Sequence, residues 1–329
     1  MADVAREAGV SLQTVSRAIN NKGEINEETR KGILEISNRM GFRPSGVARS
    51  LATKRTTTIG LVVTDITNPF FSGIARGIED IAYSHSYNIF LCNTGEDVAR
   101  EETALDSLLE KEVDGLILCS SRLEQANLEK RIKEFRYVVL INRNLDQPIN
   151  GVATITIDDA LGAEMAVSHF VSRGHKKIAL LAGPQKSWSG KNRLQGYQAS
   201  LKKHGLEYDP EIILYCDPDT QCGYQTTSQL LIKRSDVTAI IAYNDLVAVG
   251  ALQACHELMR TVPDEIAIIG FDDIPLASYV TPPLSTIRIP KQEIGSAAMR
   301  TLIDAMETEE ITSSKIIYKP ELVLRSSAP

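Results

Sequence analysis

Ile59-Gly60-Leu61-Val62-Val63-Thr64-Asp65-Ile66-Thr67-Asn68-Pro69-Phe70-Phe71 runs from an apolar strand, through a polar turn, to a pair of aromatic residues. A strand that is apolar along its whole length is covered on both faces, as happens in parallel sheets with helices packed above and below. Its first acidic residue, Asp65, falls just past the strand's carboxyl end. In open α/β sheets ligands bind outside those ends.

The pattern recurs along the chain. Further apolar strands are read at Ile89–Asn93, Gly115–Cys119 and Val138–Ile141, then at Ile178–Ala182, Ile212–Tyr215, Ala239–Ala242 and Ile266–Gly270, separated by amphipathic helical stretches. Two sets of four predict an α/β fold of two doubly wound parallel-sheet lobes with a ligand cleft between them. The strands end in Asp65, Asn93-Thr94, Ser120-Ser121, Asn142-Arg143, Asn244-Asp245 and Asp272-Asp273. Carboxylates, amides and a guanidinium around Phe70 and Phe71 suit a ligand rich in hydroxyls. Asp245, Asp159 and Asp273 read better as turn or helix caps, Asp245 opening a helix over Leu246–Leu258. His175 reads as a structural turn residue, and Trp188 as a loop aromatic of the cleft or the lobe surface.

Composition narrows the function. The net charge of −6 divides unevenly: residues 1–55 carry +4 and the remainder −10. A small basic head before an acidic body points to nucleic acid. Five cysteines without CxxC spacing indicate neither a disulfide framework nor a zinc site. The five histidines lack metal-ligand spacing, and the phosphate-loop, dinucleotide, zincin and nucleophile-elbow motifs are absent from the sequence. The expectation is a protein that is not an enzyme and uses no metal and no cofactor. No run approaches the ~18 apolar residues of a membrane span, and the first residues form no export leader, so a cytoplasmic location is expected.

In the head, Val4, Ala5 and Ala8 share a helical face that Gly9 ends. Ser11 offers an N-cap to a second helix carrying Val15, Ala18 and Ile19, and a third begins near Asn26 with Thr29, Ile33, Ile36 and Met40 along one face. Three short helices, the first two joined by a glycine turn, predict a helix-turn-helix module. The second helix is then the reader, with Ser11, Leu12, Gln13, Thr14, Ser16, Arg17 and Asn20 toward DNA. Gln13 suits the adenine edge, Arg17 the guanine edge and Leu12 a thymine methyl. Beyond it, Pro44 and Ser45 open a stripe of Val47, Ala48 and Leu51 only two turns long. So short a helix is marginal alone and is expected to fold on DNA, with Leu51 as a minor-groove wedge and Arg49 and Arg55 near phosphates.

With these motifs in hand, the chain resembles the lac-repressor family of bacterial transcription regulators. The resemblance rests on Asp3-Val4-Ala5, Ala8-Gly9-Val10-Ser11, Thr14-Val15-Ser16-Arg17 and Asn20, on the hinge Val47-Ala48-Arg49-Ser50-Leu51, and on Asp65-Ile66-Thr67-Asn68-Pro69-Phe70-Phe71, Asn244-Asp245 and Gly270-Phe271-Asp272-Asp273. It implies a homodimer on a pseudo-palindromic double-stranded operator, tuned by a small effector, with lobes of periplasmic-binding-protein type. The implied divisions are a head at 1–42, a hinge at 43–57, one lobe at 58–157 plus 288–318 and the other at 158–287 plus 319–329. The chain would cross between lobes near Asp158, Ile287 and Lys319.

The body is also similar to periplasmic ribose-binding proteins. That likeness implies effector contacts at Asn68, Phe70, Phe71, Arg143, Arg193, Asn244 and Asp272, beside Asp65, with the two phenylalanines sandwiching a sugar ring. Asn142 stands where that pattern has Asp, and Pro218 where it has an aromatic, which leaves a hexose, a sugar acid and a nucleoside open beside a pentose. Relatives carry several residues before the first helix; either the start is mis-assigned, or a genuine start at Met1 is expected to give a looser helix and weaker operator binding. Ser326-Ser327-Ala328-Pro329 supplies no heptad tail, favouring a dimer over a tetramer. Two alternatives stand beside this reading: control by a phosphorylated carrier protein, and a transport-type sugar-binding protein, which would need export.

Overall fold

The computed structural model describes residues 1–19, 23, 25–42, 55–309 and 315–329, and divides into two compact units, 1–57 and 58–329.

The first unit holds α1 (Ala2–Glu7), α2 (Leu12–Ile19) and α3 (Glu27–Arg39). Gly9 takes a φ of +63° after α1. The Ser11 hydroxyl accepts the Thr14 N–H at 3.1 Å, capping α2, and Asn26 Oδ1 accepts the Glu28 N–H at 3.0 Å, capping α3. Val4, Ala5, Val15, Ala18 and Ile33 form a small core completed by Ile36 and Phe42. The expected stripe on α3 needs correcting. Thr29 and Met40 are exposed, and Ser37 joins Ile33 on the buried side, because the helix packs with its central turns only. Met1 occupies the N-cap position of α1 without a side-chain cap bond. Asn20 and the hinge residues Ala48, Arg49 and Leu51 lie outside the described residues.

The second unit contains two six-stranded sheets. The first is ordered β11-β5-β4-β3-β1-β2 and the second β12-β10-β9-β8-β6-β7. The strands are β1 (Thr58–Val63), β2 (Asn88–Asn93), β3 (Gly115–Cys119), β4 (Val138–Ile141), β5 (Val152–Ile157), β6 (Ile178–Ala182), β7 (Ile213–Tyr215), β8 (Ala239–Ala242), β9 (Ala267–Asp272), β10 (Ser285–Arg288), β11 (Lys315–Tyr318) and β12 (Glu321–Val323). All pairings are parallel except β10 with β12. Helices α4 (Pro69–Ser84), α5 (Val98–Glu110), α6 (Gln125–Ile132) and α11 (Lys291–Thr308) cover the first sheet, and α7 (Asp159–Ser172), α8 (Trp188–Lys203), α9 (Thr220–Lys233) and α10 (Asp245–Glu257) the second. Each sheet has a buried cluster on both faces, which is why its central strands read as unbroken apolar runs. The sequence reading had four strands in each lobe. It passed over β5, where Thr154 and Thr156 interrupt the apolar run, and over the short β10, β11 and β12.

The chain passes between the sheets after Ile157, after Arg288 and after Tyr318. The second passage places α11 against α4 of the first lobe. There the two backbones meet: a Cβ on Gly77 would lie 2.1 Å from the Gln292 carbonyl oxygen, and one on Gly295 2.1 Å from that of Ile74.

Two capping assignments are overturned, while Asp273 lies in the turn after β9 with a φ of +51°. Asn244, not Asp245, caps α10, its Oδ1 accepting the Val247 N–H at 2.8 Å. Asp158, not Asp159, caps α7 by accepting from Leu161 N–H at 3.0 Å. Asp273 accepts from Arg288 Nε at 2.7 Å and Arg325 Nη2 at 2.6 Å. In the two helices the cap is the residue before the first helical one, where a non-helical backbone lets the side chain fold back. Trp188 is likewise the first residue of α8 rather than a loop residue, and Ser187 caps it through Gly190 N–H. His175 is structural as expected, its Nδ1 lying 2.9 Å from Thr238 Oγ1.

Asp245 is fully buried; its Oδ1 accepts from Thr286 Oγ1 at 2.6 Å and its Oδ2 from the Ile274 N–H at 2.8 Å. Burial first, and then the charge of Asp272, raises its pKa well above the ordinary carboxylate range. A carboxyl whose pKa rises on folding contributes most stability below its unfolded value of ~3.9, and that contribution is lost as pH climbs through the folded value. Asp245→Asn keeps both contacts, its amide oxygen taking Ile274 and its NH2 reaching Thr286. Thermal melts between about pH 4 and pH 9 should show the wild type losing ground to Asp245→Asn as pH rises; a constant gap would contradict this. Gly295→Ala, which forces α11 off α4, should cost about 1–3 kcal/mol in urea unfolding.

Candidate functional site

Between the two sheets lies a narrow cleft, lined by residues at the strands' carboxyl ends or in the helices they feed. From the first lobe come Asp65, Asn68, Phe70, Phe71, Glu96, Ser120, Arg122 and Asn142. From the second come Ser189, Arg193, Pro218, Tyr243, Asn244 and Asp272. Seven of the eight residues expected to touch an effector are therefore brought together. Arg143 is the exception.

Asn142, with a φ of +53°, lines the cleft, and Arg143 follows it at the cleft's edge, between the first lobe's Leu123 and the second lobe's Trp188. Arg143 Nη2 donates to the Leu123 carbonyl at 2.7 Å, and the guanidinium lies 5.8 Å from the centre of the Trp188 ring. Glu96, Ser120 and Asp272 also have positive φ, at +62°, +55° and +102°. Left-handed backbone is uncommon outside glycine and gathers at functional sites. Four such residues meet in this cleft.

Several lining groups are already engaged by the protein. Asn68 caps α4 through the Phe70 N–H at 2.9 Å, with Pro69 at the first helical position. Asp65 Oδ1 accepts from Thr67 N–H at 2.9 Å and from its hydroxyl at 2.7 Å, and Asn93 Oδ1 accepts the Ile66 N–H at 2.9 Å. Asn244 both caps α10 and donates through Nδ2 to the Pro218 carbonyl at 3.1 Å. Tyr243, whose hydroxyl lies 2.9 Å from Ser187 Oγ, covers Gly183, where a Cβ would come within 2.3 Å of the ring.

Two arginines, Arg122 and Arg193, line the cleft. Arg193 Nε donates to Asp159 Oδ1 at 2.8 Å, Nη1 donates to the Tyr243 carbonyl, and Nη2 lies 3.9 Å from Asp272 Oδ1. Its guanidinium lies 4.1 Å from the centre of the Phe271 ring and 5.0 Å from that of Tyr243. Burial alone would lower its pKa, but Asp159 and Asp272 hold it above the usual value. Asp272 in turn is raised by burial, against the lowering pull of Arg193 and Lys291. Arg122 forks onto Glu96, with Nε 2.5 Å from Oε2 and Nη2 3.0 Å from Oε1, while Nη1 reaches the Ser120 carbonyl at 2.8 Å. Behind it, buried Glu101 accepts from Ser121 Oγ and from Arg122 N–H, its pKa raised by burial.

Phe70 and Phe71 meet edge to face, their centroids 5.0 Å apart and their planes at 86°. Rings at right angles cannot lie flat on both faces of one sugar, so the expected sandwich by this pair is not available. Only one of them can stack. The sequence reading did not bring Glu96, Arg122, Ser189 or Tyr243 to the site; it named Ser120 and Asn142 among the polar strand ends and Asn142 and Pro218 as departures from the pocket pattern, without expecting effector contacts from them. The signal for Ser120 and Asn142 was present, since each directly follows a strand. For Glu96 and Arg122, two loops must be placed side by side in space before the pair exists.

In the first unit the side chains of Leu12, Gln13 and Arg17 are exposed on α2, opposite the buried Val15 and Ala18. Thr14 and Ser16 are half-buried, and Ser11 is exposed. Among the described residues no group of acidic, histidine and cysteine side chains could hold a metal ion, and no helix is long and apolar enough to cross a membrane.

Comparison with known proteins bears on both units. Residues 1–45 match the family model described as bacterial regulatory proteins of the lacI family, and residues 167–328 match the periplasmic binding protein-like domain. The chain is 36% identical to the ribose operon repressor of Haemophilus influenzae, across 99% of this chain and 98% of that protein. It is 35% identical to catabolite control protein A of Priestia megaterium, with 99% and 98% covered. A structure of the lac repressor dimer bound to operator and the anti-inducer ONPF superposes with a TM-score of 0.89 at 28% identity, covering 99% and 98%. With its helix-turn-helix head, its two-sheet body and these end-to-end matches, the chain belongs to the lacI family of bacterial regulatory proteins.

Proposed function

We propose that this regulator reads a pseudo-palindromic operator as a homodimer in the cytoplasm, and that a small hydroxyl-rich effector, a sugar or a related metabolite, binds in the cleft and sets operator affinity. The convergence of polar side chains from the carboxyl ends of both sheets on one cleft carries this reading. A ligand that touches both lobes favours one arrangement of them over another, and it acts on DNA only through that difference in affinity. The protein works by binding and not by turnover.

The corresponding division is a head at 1–42, a hinge at 43–57, a first lobe at 58–157 plus 288–318 and a second at 158–287 plus 319–329. Leu12, Gln13, Thr14 and Arg17 read bases, Ser11, Ser16 and Asn20 hold the backbone, and Ala48, Arg49 and Leu51 open the minor groove. The exposure of Leu12, at 54% despite its apolar side chain, supports a base contact for it. Repression is the regulatory sense this reading favours.

Fluorescence anisotropy on duplexes selected from a random library checks the reader. Gln13→Ala and Arg17→Ala should each weaken specific binding by about 1–3 kcal/mol and relax the preference at one base position. Wild-type affinity should fall steeply with salt. Unchanged binding by both variants would remove α2 from the reading role.

A further inference from the structure

The cleft's charge is arranged in a way that bears on the chemistry of its ligand. We propose that the Glu96–Arg122 ion pair is a specificity-determining element that selects uncharged, hydroxyl-rich effectors over their carboxylate- or phosphate-bearing counterparts. This rests on the reading of the cleft as the effector site.

An anion entering a protein site needs a cation that is not already matched. Arg122 has each of its three nitrogens on a protein acceptor, two on Glu96 and one on the Ser120 carbonyl. Such a bidentate fork is among the stronger and more geometrically fixed pairs available to a protein. Arg193 is matched in the same way by Asp159 and the Tyr243 carbonyl, with Asp272 close by. Against Arg122 and Arg193 stand three lining carboxylates, Asp65, Glu96 and Asp272, with Asp159 behind them, so carboxylates outnumber these two cations. A carboxylate or phosphate would meet these groups at short range, where like charges repel strongly.

A second observation points to hydrogen-bond donors on the ligand. Asn142 lines the cleft and is 4% exposed, yet its buried Oδ1 has no hydrogen-bond partner. A buried acceptor left unpaired is costly, so a ligand that supplies a donor there gains what the free protein lacks. A hydroxyl is such a donor; an ionised carboxylate or phosphate oxygen is not.

Isothermal titration of the full chain with matched ligands tests this. The pairs are D-ribose with ribose 5-phosphate, D-glucose with gluconate and with glucose 6-phosphate, D-galactose with galacturonate, and adenosine with its monophosphate. The neutral member of a binding pair should bind at least about tenfold more tightly than its anion. An anion that binds as well as or better than its neutral counterpart overturns the proposal. If no compound in the panel binds, the reading of the cleft as an effector site falls, and the proposal with it.

The pair's own role is read from the ratio of neutral to anionic affinity. Glu96→Gln removes one negative charge and leaves the Arg122 fork half matched, so the ratio should fall by about tenfold or more. Glu96→Asp keeps the charge and should keep the preference, even where both affinities weaken. A ratio unchanged in Glu96→Gln, or lost equally in both variants, shows that the pair does not select. Cooperative thermal unfolding of each variant establishes that it is folded, and the wild-type panel decides the matter for any variant that is not.

Discussion

A guanidinium taken out of water must be matched where it ends up, and the burial of Arg193 organises the second lobe around that need. The effective penalty for burying one ion is several kcal/mol, recovered only with good geometry and satisfied hydrogen bonds. Asp159 meets it from the first residue of α7, which is why the preceding Asp158 does the capping. Tyr243 gives its carbonyl at the end of β8, and Asp272 its carboxylate at the end of β9, in a left-handed conformation. Lys291 Nζ then donates to the carbonyls of Asp272 and Asp273, and Lys291 begins α11, which packs on the first lobe. One chain of charges thus links the wall of the cleft to an inter-lobe passage.

That dependence explains which parts of the molecule could be read from the sequence. The central strands could, because burial on both faces leaves apolar runs that no other element of that length produces. The outer strands could not. β10, β11 and β12 are short, and β5 carries two threonines that hide a fully buried strand among polar letters. The head was legible for a different reason: caps and helical periodicity are local. Ser11, Asn26 and Gly9 each act within a few residues of themselves, so their spacing alone announces three helices.

The cleft falls between these cases. Strand ends point to it, which is how Asp65, Asn244 and Asp272 were found, with Phe70 and Phe71 beside them, whereas Asn68 came from the likeness to ribose-binding proteins. Choosing between neighbours at a strand end is harder. The Asn142 amide lines the cleft while the Arg143 guanidinium rests against the Leu123 carbonyl and Trp188, and nothing in the letters Asn-Arg states that choice. The same limit applies to Asn244 and Asp245, where a shift of one residue separates a helix cap from a carboxylate buried beneath Thr286 and Ile274. Arg122 and Glu96 lie beyond reach of any linear reading, since their meaning comes from a contact between separate loops.

Selectivity in such a site follows from what is already satisfied. Asn68 and Asn244 are fixed as caps, and both arginines are held by carboxylates, so most of the polar lining is set before a ligand arrives. Preorganisation of this kind lowers the ordering cost of binding, but it also narrows what can bind. Groups that are paired within the protein offer a ligand little beyond their spare hydrogen-bonding capacity, whereas a buried group left unpaired penalises every ligand that does not complete it. In this cleft Asn142 Oδ1 is such a group, and it belongs to the first lobe, across from Arg193 and Asp272 of the second. A ligand that satisfies Asn142 while reaching Asp272 must span both lobes. The chemistry that gives recognition is then the same chemistry that makes binding depend on how the lobes are arranged.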